Sequence, residues 1–182
     1  MKHYLAKFSP SMVVLDETEV RPSKEYGIMK CLPKCWQVLN NYEFSNLGRI
    51  WIYWNPNIWQ CQVYNKSLQQ ITIIASNKDS FNMLLNAVYS SNWQSRREEL
   101  WKELETVHQQ HGTLPWACIG DFNIVRYSDE KIGGRGLSYT QLKISMSVKI
   151  NVFYLISEAQ EVYGLGIIRC WVLEELQLCS ET

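Results

Sequence analysis

The sequence carries no net charge: 18 basic and 18 acidic side chains cancel. A dedicated nucleic-acid clamp is basic over a whole face. Any nucleic-acid role here must therefore rest on a site and not on a broad electrostatic footprint. Long apolar runs are also missing. Ile71 to Ala75 and Met83 to Leu85 fall far short of the ~20 residues that span a bilayer. The N-terminus MKHYLAKFSPSMVVLDE has no apolar core and no small-residue cleavage site, so a secretory signal is not expected. No CxxC pair occurs among Cys31, Cys35, Cys61, Cys118, Cys170 and Cys179, and His3, His108 and His111 complete no zinc spacing. The thiols read as reduced side chains, mostly core fillers. The expected compartment is intracellular, nuclear or cytoplasmic, not secreted. Internal repeats and low-complexity segments are absent as well.

What is present is apolar and aromatic. Hydrophobic residues make up 46% of the 182-residue chain, which is far too much for a disordered one. Met12 to Leu15 fits a short buried strand and runs into Asp16–Glu17–Thr18–Glu19, which puts carboxylates at a strand end. Ser23 to Leu32 predicts one short helix that stops before Pro33. From Trp36 the pattern becomes that of strands: Trp36 to Leu39, Arg49 to Trp54, Trp59 to Tyr64, Gln70 to Ala75 and Phe81 to Tyr89. Asn55–Pro56–Asn57 and Asn77 to Ser80 supply turn chemistry between them. Both faces of Arg49 to Trp54 are apolar, so that strand is expected to be covered on both sides. Trp51, Trp54 and Trp59 read as sheet-packing core in preference to an exposed partner surface.

Ser95 to about His111 is the best helix. Leu100, Leu104, Val107 and His111 share a stripe, Ser95 and Glu98 form a capping-box pattern, and Gly112 sits where a helix stops. His108 and His111 have a metal-like spacing. They read instead as the polar margin of a helix near its C-terminus, where positive charge is favoured. Trp116 to Ile119 is a buried strand. A polar loop with Asp129, Glu130, Lys131 and Gly133 to Gly136 follows later. Leu142 to Ile156 is undecided between helix and strand, and Gly164 to Thr182 has no clean period.

The strongest chemical signal is Gly120–Asp121–Phe122–Asn123 directly after the buried strand. In an extended segment Asp121 and Asn123 point to one side and Phe122 to the other, into the core. A carboxylate accepts a proton and an amide donates to an oxygen, which suits water activation beside a phosphate. An Asx-type turn capping the strand explains the same residues. Glu17 and Tyr89 close two other strands. Hard cations such as Mg²⁺ take oxygen ligands, and a tyrosine hydroxyl bonds phosphoryl oxygens.

Five segments then come in a telling order: LDETEV at 15–20, VLNNYEFSNLGRIWIYWNP at 38–56, VYSSNWQSRREELW at 88–101, PWACIGDFN at 115–123 and DEKIGG at 129–134. Together they resemble the endonuclease/exonuclease/phosphatase superfamily. More narrowly, they are similar to the apurinic-endonuclease-like domain of plant LINE-type (non-LTR) retrotransposons. The resemblance implies an α/β (α+β) fold, a DNase I-like two-sheet β-sandwich flanked by helices, and cleavage of a DNA phosphodiester with Mg²⁺ (or Mn²⁺). It implies that Glu17 binds metal and that Tyr89 is the active-site tyrosine. Asn92 matches a substrate-side polar position, Asp121 the residue that orients the attacking water, and Asn123 the residue that holds phosphate. Arg96 and Arg97 sit in a stretch typical of the family, and the plain alternative for them is a solvated helix start. The domain is expected over 12–143, with a divergent C-terminal tail at 144–182.

The chain also departs from the family pattern. It offers no early strand with a metal-binding Asn, no Gly-x-x-Phe-Thr-Trp segment and no Ser-Asp-His strand. An incomplete sandwich with exposed sheet edges is the expectation, unless the tail substitutes for the missing strands. DNA is the expected partner and a membrane is not. The alternative is a catalytically inactive remnant of the same fold.

Overall fold

The β-branched and aromatic runs become two sheets. The computed structural model describes residues 5–7, 9–30, 32–111 and 113–123, and the backbone of 156–163 and 166–173. Expectations about Gly112, Asp129 to Gly136 and the undecided stretch from Leu142 lie outside the described residues.

Strand β1 (Met12–Asp16) is followed by a 3₁₀ turn at Pro22–Lys24 and helix α1 (Glu25–Met29). Pro22 ends the preceding extended chain and opens this turn. The predicted single helix over 23–32 is thus split into two short pieces. Strands β2 (Gln37–Asn40), β3 (Trp51–Trp54), β4 (Trp59–Lys66), β5 (Gln70–Asn77) and β6 (Asn82–Tyr89) follow. Helix α2 (Gln94–His111) leads into β7 (Trp116–Asp121), and β8 (Ile156–Tyr163) and β9 (Gly166–Leu173) form a hairpin.

One sheet has the order β2-β3-β1-β9-β8 and the other β4-β5-β6-β7. All pairings are antiparallel except β6 with β7, where α2 provides the crossover that parallel strands require. β1 pairs over its whole length with the end of β9, from Met12 opposite Leu173 to Asp16 opposite Arg169. The predicted turns form as their side chains dictate. Asn55 Oδ1 accepts the Asn57 N–H at 3.0 Å, and Asn77 Oδ1 accepts the N–H groups of Asp79 and Phe81.

Alternation decides the layers. Met12, Val14, Ile50, Ile52 and Trp54 face Ile71, Ile73, Met83, Leu85, Ala87, Ala117 and Ile119 across the space between the sheets. The opposite parity of the first sheet, Val13, Leu15, Trp51 and Tyr53, packs under Ile28 of α1, Leu32 and Val20. On the second sheet Val88 and Cys118 pack under Leu100 and Leu104 of α2. β3 is fully buried on both faces, as its sequence required. Trp51, Trp54 and Trp59 are core residues, so they offer no partner surface. Of the described thiols, Cys118 is buried, Cys61 half-buried and Cys35 exposed, so Cys35 is not among the core fillers. No helix of the described residues is long and apolar enough to cross a membrane.

Helix α2 begins at Gln94, one residue before the expected cap, so Ser95 lies inside the first turn. Loop bonds replace the expected box: Arg97 N–H donates to Trp93 O, and Trp93 N–H donates to Ser91 Oγ.

Candidate active site

The rows of side chains that face between the sheets are apolar until they reach one end of the sandwich. Along β6 the inward row is Met83, Leu85, Ala87 and then Tyr89; along β7 it is Ala117, Ile119 and then Asp121. The two strands are parallel, and Tyr89 and Asp121 are register partners. Period-two alternation therefore delivers a phenol and a carboxylate side by side at the mouth of the core. Ser90 N–H donates to Asp121 O at 2.7 Å and extends the pairing past the strand ends.

Gly120 makes this close pairing possible. Its φ is +128°, and a Cβ there would stand 1.9 Å from the Val88 carbonyl oxygen. Only glycine lets β7 approach β6 so closely at that point.

The carboxylates of the segment after β1 reach the same mouth. Tyr89 is half-buried, and burial raises its pKa first. The negative charge of Glu17 raises it next, with smaller contributions from Glu19 and Asp121, while Arg49 opposes them. The Arg49 guanidinium lies 5.3 Å from the Tyr89 ring centroid and 4.0 Å from the Glu19 carboxylate. Glu17, Tyr89 and Asp121 are thus brought into one electrostatic neighbourhood, and Arg49 joins them.

Backbone strain gathers here. Of the five non-glycine residues with positive φ among the described ones, three are Glu17 (+51°), Glu19 (+43°) and Asn123 (+48°). Such conformations persist only where neighbours enforce them. Between the two glutamates, buried Thr18 donates its hydroxyl to Gly48 O. Gly48 is itself fixed, because the Trp51 indole donates to its carbonyl at 2.7 Å.

Asn123 is reached differently from the extended geometry expected. Its N–H donates to Asp121 Oδ1 at 2.8 Å, so the chain leaves β7 in an Asx turn. Its Nδ2 donates to Ser90 O at 2.5 Å. An amide carries two N–H donors, so one remains for another acceptor. Phe122 goes to the α2 side, as the parity of Cys118 and Gly120 demands. It stacks on Trp101 at 5.8 Å and does not enter the core between the sheets.

Asn92 lines a neighbouring cleft of about 420 Å³, together with Tyr89, Arg49, Trp93 and Arg96. Two groups whose part sequence reasoning missed, Arg97 and Gln69, hold this wall. The Arg97 guanidinium is buried and donates from Nη1 to the carbonyls of Ser91 and Asn92, each at 2.9 Å. Desolvation lowers its pKa. Gln69 accepts the Ser91 N–H at 2.7 Å and donates to Arg96 O at 2.7 Å. Ser90 Oγ is buried against the cleft without a hydrogen-bond partner among the described residues. Arg97 is therefore no solvated helix start; it spans the turn that carries Asn92. Nothing in the sequence separates it from Arg96 beside it, since burial of one guanidinium is a tertiary fact.

The two described histidines are engaged elsewhere. His108 stacks on Trp116 at 5.7 Å, and His111 meets the edge of Tyr64 at 4.6 Å. Among the described residues, no three His, Cys, Asp or Glu side chains group to hold a metal ion. Mg²⁺ commonly uses one or two carboxylates and completes its shell with water and phosphate. The carboxylates gathered around Tyr89 fit that sparser donor set.

No family model matches the chain, and no curated protein matches it by sequence. Among solved structures it is similar to D. rerio TDP2 complexed with a single-strand DNA product. That likeness has a TM-score of 0.51 and 11% identity, and covers 95% of this chain and 75% of that one. A humanized D. rerio TDP2 carrying 14 mutations gives a TM-score of 0.47 at 18% identity, covering 68% of this chain and 53% of that one. TDP2 from C. elegans gives 0.47 at 12% identity, covering 94% and 57%. The chain spans little more than half the length of these last two. At such identities the likeness to the first structure bears on architecture alone, and the architecture is the DNase I-like two-sheet α+β sandwich.

Proposed function

We propose that this chain is a phosphodiester-cleaving endonuclease-like domain of LINE-type retrotransposon origin that acts on DNA with Mg²⁺. The observation that carries the reading is the meeting of Glu17, Tyr89 and Asp121 at one end of a DNase I-like sandwich. The origin rests on the five segments in family order. The DNA substrate rests on that resemblance and on the single-strand DNA complex of the D. rerio protein.

Each residue has a defined task in this reading. Glu17 contributes a carboxylate to a hard cation, which, when bound, neutralises charge on the phosphate. Tyr89 stays protonated, because burial and the surrounding carboxylates oppose its ionisation, and its hydroxyl donates to a phosphoryl oxygen. Asp121 orients the attacking water. Asn123 uses its remaining N–H on the phosphate while the other holds Ser90 O. Arg49 supplies positive charge beside the ring of Tyr89.

A second reading, a catalytically inactive remnant, is favoured by one observation. Neither His108 nor His111 reaches this mouth, so the described residues bring no imidazole to the leaving group. A general acid or base contributes about 10²–10⁴-fold. Nicking of supercoiled plasmid with and without Mg²⁺, compared with Asp121→Ala, decides between the two. Metal-dependent nicking that the variant loses supports the nuclease. Equal traces for both proteins would establish the remnant.

A further inference from the structure

We propose that Trp93 is a stacking platform for an unpaired base, and that the cleft from Arg96 to Arg49 receives single-stranded DNA and directs it to Tyr89. The inference rests on the phosphodiester-cleaving reading for the purpose of the site, but the strand binding it describes needs no cleavage.

Trp93 is 73% exposed, while Trp51, Trp54 and Trp59 are all buried. Leaving an indole in water forfeits the burial of a large apolar surface, so its place calls for an account. The backbone that presents it is fixed. Trp93 N–H donates to Ser91 Oγ at 3.2 Å, and Trp93 O accepts the Arg97 N–H at 3.2 Å. The buried Arg97 side chain and Gln69 hold the two preceding residues as described above. A rigid loop thus offers an aromatic face to solvent at the edge of the cleft.

The chemistry of that cleft suits a nucleic-acid strand. Two guanidinium groups, Arg49 and Arg96, and the Asn92 amide line it with Tyr89 and Trp93, and among the described residues no carboxylate does. Guanidinium groups grip phosphate oxygens with paired N–H donors. An aromatic ring takes the face of any base, whatever the sequence, provided the base is unstacked. In a duplex the base faces are covered by their neighbours and only the edges are open in the grooves. Trp93 therefore has a partner in a single strand and none in a helix. The chain as a whole carries no net charge, so strand binding must draw on local contacts such as these.

The test is fluorescence anisotropy at low salt in EDTA, with a labelled oligothymidylate and a blunt duplex of equal length. The proteins are wild type, Trp93→Ala and Trp93→Phe. Because the side chain is exposed, both variants should unfold at the wild-type midpoint. Trp93→Ala should weaken oligothymidylate binding about 10- to 100-fold and leave the duplex within about twofold, and Trp93→Phe should retain most of the affinity. Undiminished oligothymidylate binding by Trp93→Ala overturns the proposal, and so does an equal loss on both probes. Chelation keeps this result separate from cleavage. Lost nicking with Trp93-dependent binding intact sinks the nuclease and leaves the platform. Intact nicking with binding indifferent to Trp93 sinks the platform alone.

Discussion

Replacing Gly120 with alanine adds one carbon atom and touches no side chain that we assign to chemistry, yet it should disable the site. The new Cβ would lie 1.9 Å from the Val88 carbonyl oxygen and 2.8 Å from its carbon, where ordinary contact begins at 3.4 Å. The atom it meets is backbone, so no rotamer change relieves the clash. β6 and β7 would have to part by about 1.5 Å at this point. A φ of +128° adds conformational strain for any residue with a side chain. Strain of that kind costs about 1–3 kcal/mol, and forcing extra volume into a packed region costs a further ~1–3 kcal/mol. A loss of about 2–6 kcal/mol is a large share of the 5–15 kcal/mol typical of a whole domain. Urea unfolding followed by tryptophan fluorescence should show a much lower midpoint with a similar slope. The part of the chain that folds should nick plasmid more slowly, because Tyr89 and Asp121 are register partners one residue beyond the clash. A Gly120→Ala protein with the wild-type midpoint and wild-type nicking would refute the view that this glycine sets the spacing of the site.

Arg97→Met keeps much of the apolar stem but strips the Ser91 and Asn92 carbonyls of their donor. It should cost about 1.5–3 kcal/mol, and amide hydrogen exchange at 91–93 should accelerate well beyond the global change. Tyr42 donates to Val20 O at 2.8 Å, and its pKa is pushed up to about 12, by burial first and then by Glu25. Tyr89 is raised as well. A phenol whose folded pKa lies above the unfolded value of 10 stabilises the fold below pH 10 and loses that contribution as pH climbs toward 12. The unfolding midpoint should therefore hold up to about pH 9 and fall above 10, with a shallower fall in Tyr42→Phe; a midpoint flat through pH 11 would contradict the assignment. Glu17→Gly and Glu17→Ala both remove the carboxylate and should both abolish metal-dependent nicking. The glycine variant should nonetheless be more stable than the alanine variant by about 1 kcal/mol, since the φ of +51° is strained only when a Cβ is present; equal melting temperatures would dispose of the strain argument.

Much of the architecture was legible because it follows from alternation. Met12 to Leu15, Arg49 to Trp54 and Phe81 to Tyr89 each read as strands, and the structure places β1, β3 and β6 within those limits, give or take a residue or two. The both-faces-apolar pattern of residues 51–54 correctly signalled a strand covered on two sides. The pair β8 and β9 was not legible, for a physical reason. Both parities of 166–173 are rich in apolar residues, as with Ile167 and Trp171 against Ile168 and Val172, so no period of two stands out. The split of 23–32 was missed because Pro22 favours a tight first turn as readily as a helix start.

The site divides along the same line. Tyr89 and Asp121 could be placed at strand ends from the sequence, since each continues an apolar row. Their meeting needed the parallel register of β6 and β7, which no local signal encodes. Asn123 shows how a correct residue can come with a wrong geometry. Extended parity would aim it beside Asp121, but a short carboxylate two residues before an N–H captures that N–H, and the Asx turn wins locally over the strand. Gln69 and Arg97 were invisible for the opposite reason. Polar residues in a loop and at a helix start are ordinarily solvated, and nothing in their neighbours distinguishes them from Gln94 or Arg96. Yet the bonds they make decide where Asn92 and Trp93 stand. Side chains that extend a hydrophobic row announce themselves by period. Side chains that lock a loop do so through bonds to distant backbone, and only the folded chain reveals them.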